Sequence, residues 1–267
     1  MILSALYRYP VKSAQAQSLQ GSPVGSLGLE GDRRWLVVEA ENGRFLTQRA
    51  WPRLGRINAS YSANGQLLLS APGLAALEVP VPPADDGLRG VTIWRDTLQV
   101  PDAGDAAAAW LSELLGKTVR LVYCPEQRAR YLPSGYGLNS DRAAFPDGFP
   151  LLLIGQASLD ELSRRVGRPM EMLRFRPNLV IEGAEAFAED GWKRIRIGDM
   201  TFRVLKPSVR CILTTLDPTT GERSPDREPL TTLKTFREKE GDVLFGQNLA
   251  VDGTGELSVG MRVQVIE

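Results

Sequence analysis

No histidine occurs among the 267 residues. Imidazole therefore cannot act as general base, nucleophile partner or metal ligand. The commonest zinc, haem and non-haem iron sites lose their usual ligand as well. Cysteine is nearly absent too, with only Cys124 and Cys211. Two cysteines do not make a secreted disulfide framework, so two free thiols in a reducing compartment are expected. Without a Cys-x-x-Cys pair, thioredoxin chemistry and a cysteine-only iron–sulfur cluster are excluded. Net charge is absent: 32 basic residues balance 32 acidic ones, and nothing global points to nucleic acid or a membrane surface. No apolar run approaches ~18 residues, so no membrane-spanning helix is expected. The start, Met1 to Arg8, lacks the charged region of a signal peptide and reads as a first strand; the cytoplasm is the expected location. Phosphate-binding Gly-x-x-x-x-Gly-Lys-Ser/Thr, dinucleotide-binding Gly-x-Gly-x-x-Gly and nucleophile-elbow Gly-x-Ser-x-Gly patterns are all missing.

What is there reads as a soluble, mainly β protein. Hydrophobic residues make up 43% and charged residues 24%, ordinary values for a globule whose core needs no covalent staple. Short apolar runs at 35–38, 67–69, 91–94 and 179–181 are bounded by turn residues and predict strands. Asn64-Gly65 and Gly198-Asp199 predict hairpin turns, the second joining the period-two runs 193–197 and 201–205. Three helices are expected: 105–115 closed by Gly116, one opened by the capping box Ser158-Leu159-Asp160-Glu161, and one carrying Leu230, Leu233 and Phe236. Many strands and few helices predict a β-barrel or sandwich. Two domains are expected, 1–118 and 119–267, with 124–150 a long irregular stretch of the kind that is functional or disordered.

Cys211, in Ser208-Val209-Arg210-Cys211-Ile212-Leu213-Thr214-Thr215, reads either as a buried structural cysteine or as a nucleophile or soft metal ligand. An extended chain over 209–215 would put Arg210 on the face opposite the sulfur. Cys124 reads as structural. Lys12-Ser13, Arg33 and Arg34, Arg176-Pro177-Asn178 and Arg210 form a scattered basic set; each alone reads as a solvated charge, and an anion site requires that they converge. Residues 1–60 carry eight Lys/Arg against four Asp/Glu, which hints at such a site. Glu189-Asp190-Gly191-Trp192 offers a carboxylate and an aromatic wall, and Gln247-Asn248 offers two amides after Gly246; both also read as ordinary turns.

Together these residues resemble a known family. Phe175-Arg176-Pro177-Asn178, Trp192, Ile197-Gly198-Asp199, Arg210 to Thr215, Glu228 to Lys234 and Phe245 to Asn248 are similar to the MOSC domain. Tyr9-Pro10-Val11-Lys12-Ser13 and Gly28 to Trp35 resemble the β-barrel domain that precedes it. Bacterial reductases of N-hydroxylated bases and the mitochondrial amidoxime-reducing components show similar patterns. The resemblance implies an N-terminal β-barrel-like domain followed by a MOSC β-barrel. It also implies a molybdenum–molybdopterin cofactor, with Cys211 giving its sulfur to the metal. Lys12, Ser13 and Arg33, with Arg176, Asn178 and Arg210, would hold the anionic pterin group, and Ser208, Thr214 and Asn248 would line it. A small N-hydroxylated substrate, a hydroxylamino-purine or an amidoxime, would be reduced to the amine or amidine, with Asp190 handling substrate or protons in place of histidine. Val209 departs from the family's Cys-Ser-Arg-Cys pattern by lacking a hydroxyl. The chain ends at Glu267 without a ferredoxin domain, so electrons would come from a separate donor protein. The alternative is a cofactor or sulfur carrier that uses Cys211 without turnover.

Overall fold

A computed structural model describes residues 1–267, which are mainly β. The largest unit is a nine-stranded sheet. Along it the strands Gln17–Leu19, Ile2–Arg8, Leu179–Glu182, Leu151–Gly155, Asp242–Asp252, Met200–Arg210, Arg194–Ile197 and Val263–Val265 follow one another, and Glu238–Lys239 pairs with Asp242–Asp252. Neighbours are antiparallel except Leu151–Gly155 and Leu179–Glu182. A parallel pair needs a crossover, and here it is the helix α2, Gln156–Val166. Two smaller sheets, Trp35–Glu39 with Val119–Tyr123 and Asn58–Tyr61 with Leu67–Ala71 and Leu74–Val79, together with helix α1 (Asp105–Leu115), enclose a second core around Trp35, Val37, Leu67, Leu111 and Leu121. The run Trp35 to Val38 is apolar throughout because both its faces are buried: Trp35 and Val37 face that core, while Leu36 and Val38 face a third cluster with Cys124 and Phe145. Cys124 is fully buried, and burial pushes its thiol up to about 11. No helix is long and apolar enough to cross a membrane.

Hydrogen bonding does not respect residue 118. Val119–Tyr123 pairs with Trp35–Glu39 and completes the first unit. Ile2–Arg8 pairs with Leu179–Glu182, and Gly21–Gly25 with Gly255–Ser258. The N-terminal strands are thus built into the second unit, and this strand exchange brings Lys12 and Arg33 beside residues 176–211.

Local expectations fare unevenly. The turns at Gly65 and Gly198 form, each glycine with positive φ. Helix α2 starts earlier than its capping box suggests, at Gln156. Ser158 lies inside the first turn, where its hydroxyl donates to the buried Glu189 carboxylate (2.8 Å), which also accepts the Gly155 N–H (3.1 Å). A carboxylate from a distant segment therefore caps this N-terminus. Trp94 sits on the turn between Leu88–Ile93 and Asp96–Pro101, not in a strand. The chain over 209–215 is not extended: the strand ends at Arg210, and Ile212–Thr215 is a short 3-10 turn. There the Thr214 hydroxyl donates to the Cys211 carbonyl (3.0 Å) and that of Thr215 to Ile212 (2.7 Å), competing with strand continuation. Cys211 therefore stands at a bend.

Candidate active site

The two units meet at a knot of side chains around Tyr9, which is 1% exposed. The guanidinium groups of Arg33 and Arg176 lie 4.3 Å and 4.2 Å from its ring centroid. Cations are attracted to aromatic faces, but two at one ring repel each other. Arg33 spends its donors on Asp32 (2.6 Å), Asn178 Oδ1 (2.8 Å) and the Arg176 carbonyl (3.0 Å). Asn178 is wholly buried: Nδ2 donates to the Tyr7 carbonyl, and Oδ1 also accepts the Leu152 N–H. Ser13, Arg33 and Arg176 each hold positive φ, at 72°, 45° and 55°. L-residues visit that region at a cost of about 1–2 kcal/mol, offset here by the contacts that the turned side chains make.

Beside this knot lies a cavity of about 280 Å³. Its lining includes Lys12, Arg33, Arg176 and Arg210 of the scattered basic set, together with Ser13, Asn178, Ser208, Cys211, Thr214 and Asn248; Arg34 is not among them and donates instead to the Cys124 carbonyl (2.7 Å). Seven lining side chains are Lys or Arg and one is acidic, Asp147. Lys12 donates to the Phe145 carbonyl (2.9 Å) and to Asp147. Burial pushes its ammonium down to about 8, against the pull of that carboxylate. The recess disfavours a charged Asp147, yet Lys12 alongside holds its carboxyl well below the usual range. Burial likewise lowers Arg176 to about 10 and Arg210 to about 9. All these cations are charged at neutral pH. Arg210 directs its fork at the carbonyls of Phe245 and Phe175, so it supplies charge more than free donors. Arg176 Nη2, by contrast, is buried without a partner. So is Arg174 Nε, 3.4 Å from Glu171 but not hydrogen-bonded to it. Buried orphan donors are costly, and an acceptor bound beside them would offset that cost.

Cys211 is half-buried at the edge of this cavity. The cation touching its sulfur is Arg49, with Nη1 at 3.5 Å, from a segment to which the sequence drew no attention. Thr214 lines the wall with its hydroxyl spent on the Cys211 carbonyl. Asn248 Nδ2 reaches the Lys206 and Pro207 carbonyls only at 3.3 and 3.4 Å. Val209, 44% exposed, turns an apolar group into the lining. Asp190 is not brought to this cavity: its carboxylate pairs with Arg237 (2.7 Å) and accepts from Gln247 (2.7 Å). Sequence reasoning missed Arg49, Asp147, Arg174 and Lys206, which sit in no motif; the composition of 124–150 was the one available signal, for Asp147. No group of three or more Cys, Asp or Glu converges to hold a metal ion, so a metal at Cys211 would bring other ligands with it.

Residues 1–118 match the MOSC N-terminal beta barrel domain, and residues 140–264 match the MOSC domain. The mitochondrial amidoxime-reducing component 1 of Xenopus laevis is 34% identical over 97% of this chain and 80% of its own length. The human protein of that name is 32% identical over 99% and 82%. The molybdenum cofactor sulfurase of Oryza sativa is 31% identical over 98% of this chain but only 34% of its own length. With a MOSC N-terminal domain, a MOSC domain and end-to-end similarity to the amidoxime-reducing components, the chain belongs to the MOSC family.

Proposed function

We propose that this protein reduces N-hydroxylated compounds, amidoximes or hydroxylamino-purines, with a molybdenum–molybdopterin cofactor held in the cavity between the two units. One observation carries the reading: the half-buried thiol opens onto the same cavity as seven cations, two of which keep an orphaned guanidinium nitrogen. That donor set fits the group. An anionic pterin phosphate would offer Arg176 Nη2 an acceptor, and Lys12, Arg33 and Arg210 would balance its charge. A thiolate is a soft ligand, and a dithiolene pterin brings further sulfurs, which suits a site with one protein thiol. When bound, the cofactor supplies two-electron oxygen-transfer chemistry. Cys211 fixes the position of that chemistry from its bend, and Ser13, Ser208, Thr214 and Asn248 shape the wall. Asn178 acts by holding Arg33. Reducing N–OH to N–H and water consumes two electrons and two protons. The electrons come from a separate donor protein, and Lys12 Nζ, near its midpoint at about pH 8, holds a proton on the cavity wall, the role the sequence had offered to Asp190.

The test is to express the protein in a host that makes the cofactor and to measure molybdenum and pterin per chain. Stoichiometric metal in the wild type, lost in Cys211→Ala, with benzamidoxime reduced by an artificial electron donor, is the expected result. Similarity to the cofactor sulfurase favours a second reading, in which Cys211 carries sulfur or the cavity carries cofactor without turnover. Metal-free protein with a labile sulfur on Cys211 would establish it instead.

A further inference from the structure

Arg49 stands on a turn at residues 48–50, anchored where the Gln48 N–H donates to the Ser13 hydroxyl at 3.2 Å. Its side chain makes one hydrogen bond, to Cys211 Sγ. A guanidinium carries further N–H donors in a rigid fork, and both Arg49 and Cys211 line the cavity. Its other support is aromatic: the guanidinium carbon lies 4.9 Å from the Trp94 ring centroid. Trp94 is an unusual residue for its place. It occupies a tight hairpin turn with φ 54°, a position that favours Gly or Asn, and is 43% exposed. Phe45 meets it edge-on at 4.9 Å and is itself tied to the hairpin by its N–H to the Thr92 carbonyl (3.1 Å). Strain of this kind persists where the surroundings over-determine it, and it collects at functional sites.

We infer that Arg49 is a substrate-binding residue whose guanidinium donates to the oxygen of the N–OH group beside Cys211, and that Trp94 is the positioning residue that holds it there. The inference rests on the reductase reading above. In the reaction the N–O bond breaks, two electrons enter from the donor protein, one proton joins the hydroxyl oxygen, which leaves as water, and a second proton goes to nitrogen in place of the oxygen. Negative charge builds on the departing oxygen. A donor fixed in advance at that point stabilises the charge without reorganising. Arg49 keeps its own proton throughout.

The test has two arms. In cofactor-free protein, Cys211 is alkylated with iodoacetate and, separately, with neutral iodoacetamide, and the adduct is counted by mass spectrometry; Cys124 is fully buried. Both reagents need the same thiolate, so the ratio of their rates reports only the charge presented at the sulfur. Arg49→Gln and Trp94→Ala should lower that ratio several-fold, while Arg49→Lys and Trp94→Phe should retain most of it. In loaded protein, Arg49→Gln should keep wild-type molybdenum per chain and lose about 10²-fold in kcat/KM for benzamidoxime. The double variant Arg49→Gln/Trp94→Ala should be no worse than Arg49→Gln alone. An unchanged alkylation ratio, or unchanged kcat/KM at full metal loading, overturns the role of Arg49; additive losses overturn that of Trp94. Wild-type protein without molybdenum would instead remove the reductase reading and the substrate role with it, while the alkylation ratio still decides whether Trp94 holds Arg49 at the sulfur.

Discussion

A lysine taken out of water holds its proton less tightly unless an anion accompanies it. Lys12 shows both effects, buried on the cavity wall yet bonded to Asp147, and its ammonium titrates at about 8. A pKa depressed in the folded protein leaves Lys12 charged below about pH 8 and neutral above it. Affinity of the cofactor-free protein for sulfate, whose own charge does not change in this range, should therefore be highest below pH 8 and fall as pH rises through it. Isothermal titration at pH 6.5 and 9.5 checks this, and Lys12→Met should flatten the profile. At this scale the sequence was informative where a residue type is rare: Cys211 was visible because no imidazole competes with it. Arg49 and Asp147 were invisible, since each is one common charge in an unremarkable run. Asp190 looked available because its partner Arg237 lies 47 residues away in the chain and cannot be read from its neighbours.

The element that carries Cys211 is the strand Met200–Arg210, paired with Asp242–Asp252 through two register shifts, between Val204 and Lys206 and between Pro207 and Val209. Bulges re-aim side chains, and here they lie in the stretch that places Lys206, Ser208 and Val209 on the cavity. Gly246 in the partner strand has φ 76°, and a Cβ there would come within 2.7 Å of the Leu153 carbonyl oxygen and of Ile154. Gly246→Ala should therefore cost more than about 1 kcal/mol, read as a lower urea midpoint at unchanged slope. Gly25→Ala, with nothing within 4 Å of the added Cβ, should stay within about 0.5 kcal/mol of wild type. Hairpins at Gly65 and Gly198 were legible because their signal is local. The start of α2 and the bend after Arg210 were not. Glu189 caps the helix from 34 residues beyond Gly155, and threonine hydroxyls, equally at home in a strand, close the turn after Cys211.

In the whole molecule, the two units exchange strands, so neither is a contiguous piece of chain. A fragment of residues 1–118 lacks Val119–Tyr123, the only strand pairing with Trp35–Glu39, and leaves Ile2–Arg8 without Leu179–Glu182. It should fail to give a cooperative unfolding transition or dispersed amide resonances. The full chain, knotted at Tyr9, Arg33 and Asn178, should unfold in one calorimetric transition. Two separable transitions, or a folded fragment, would show the exchange to be energetically minor. By itself the sequence determined the kind of protein: mainly β from its short apolar runs and glycine turns, with Cys211 left as a candidate nucleophile or soft ligand because no imidazole competes with it. Those properties follow from residue types and near-neighbour spacing. Only the tertiary structure decided that Lys12, Arg49, Asp147, Arg176 and Cys211 face one cavity and that Asp190 does not. Five distant segments converge there through strand register and buried charge balance, which depend on partners far along the chain and leave no local pattern.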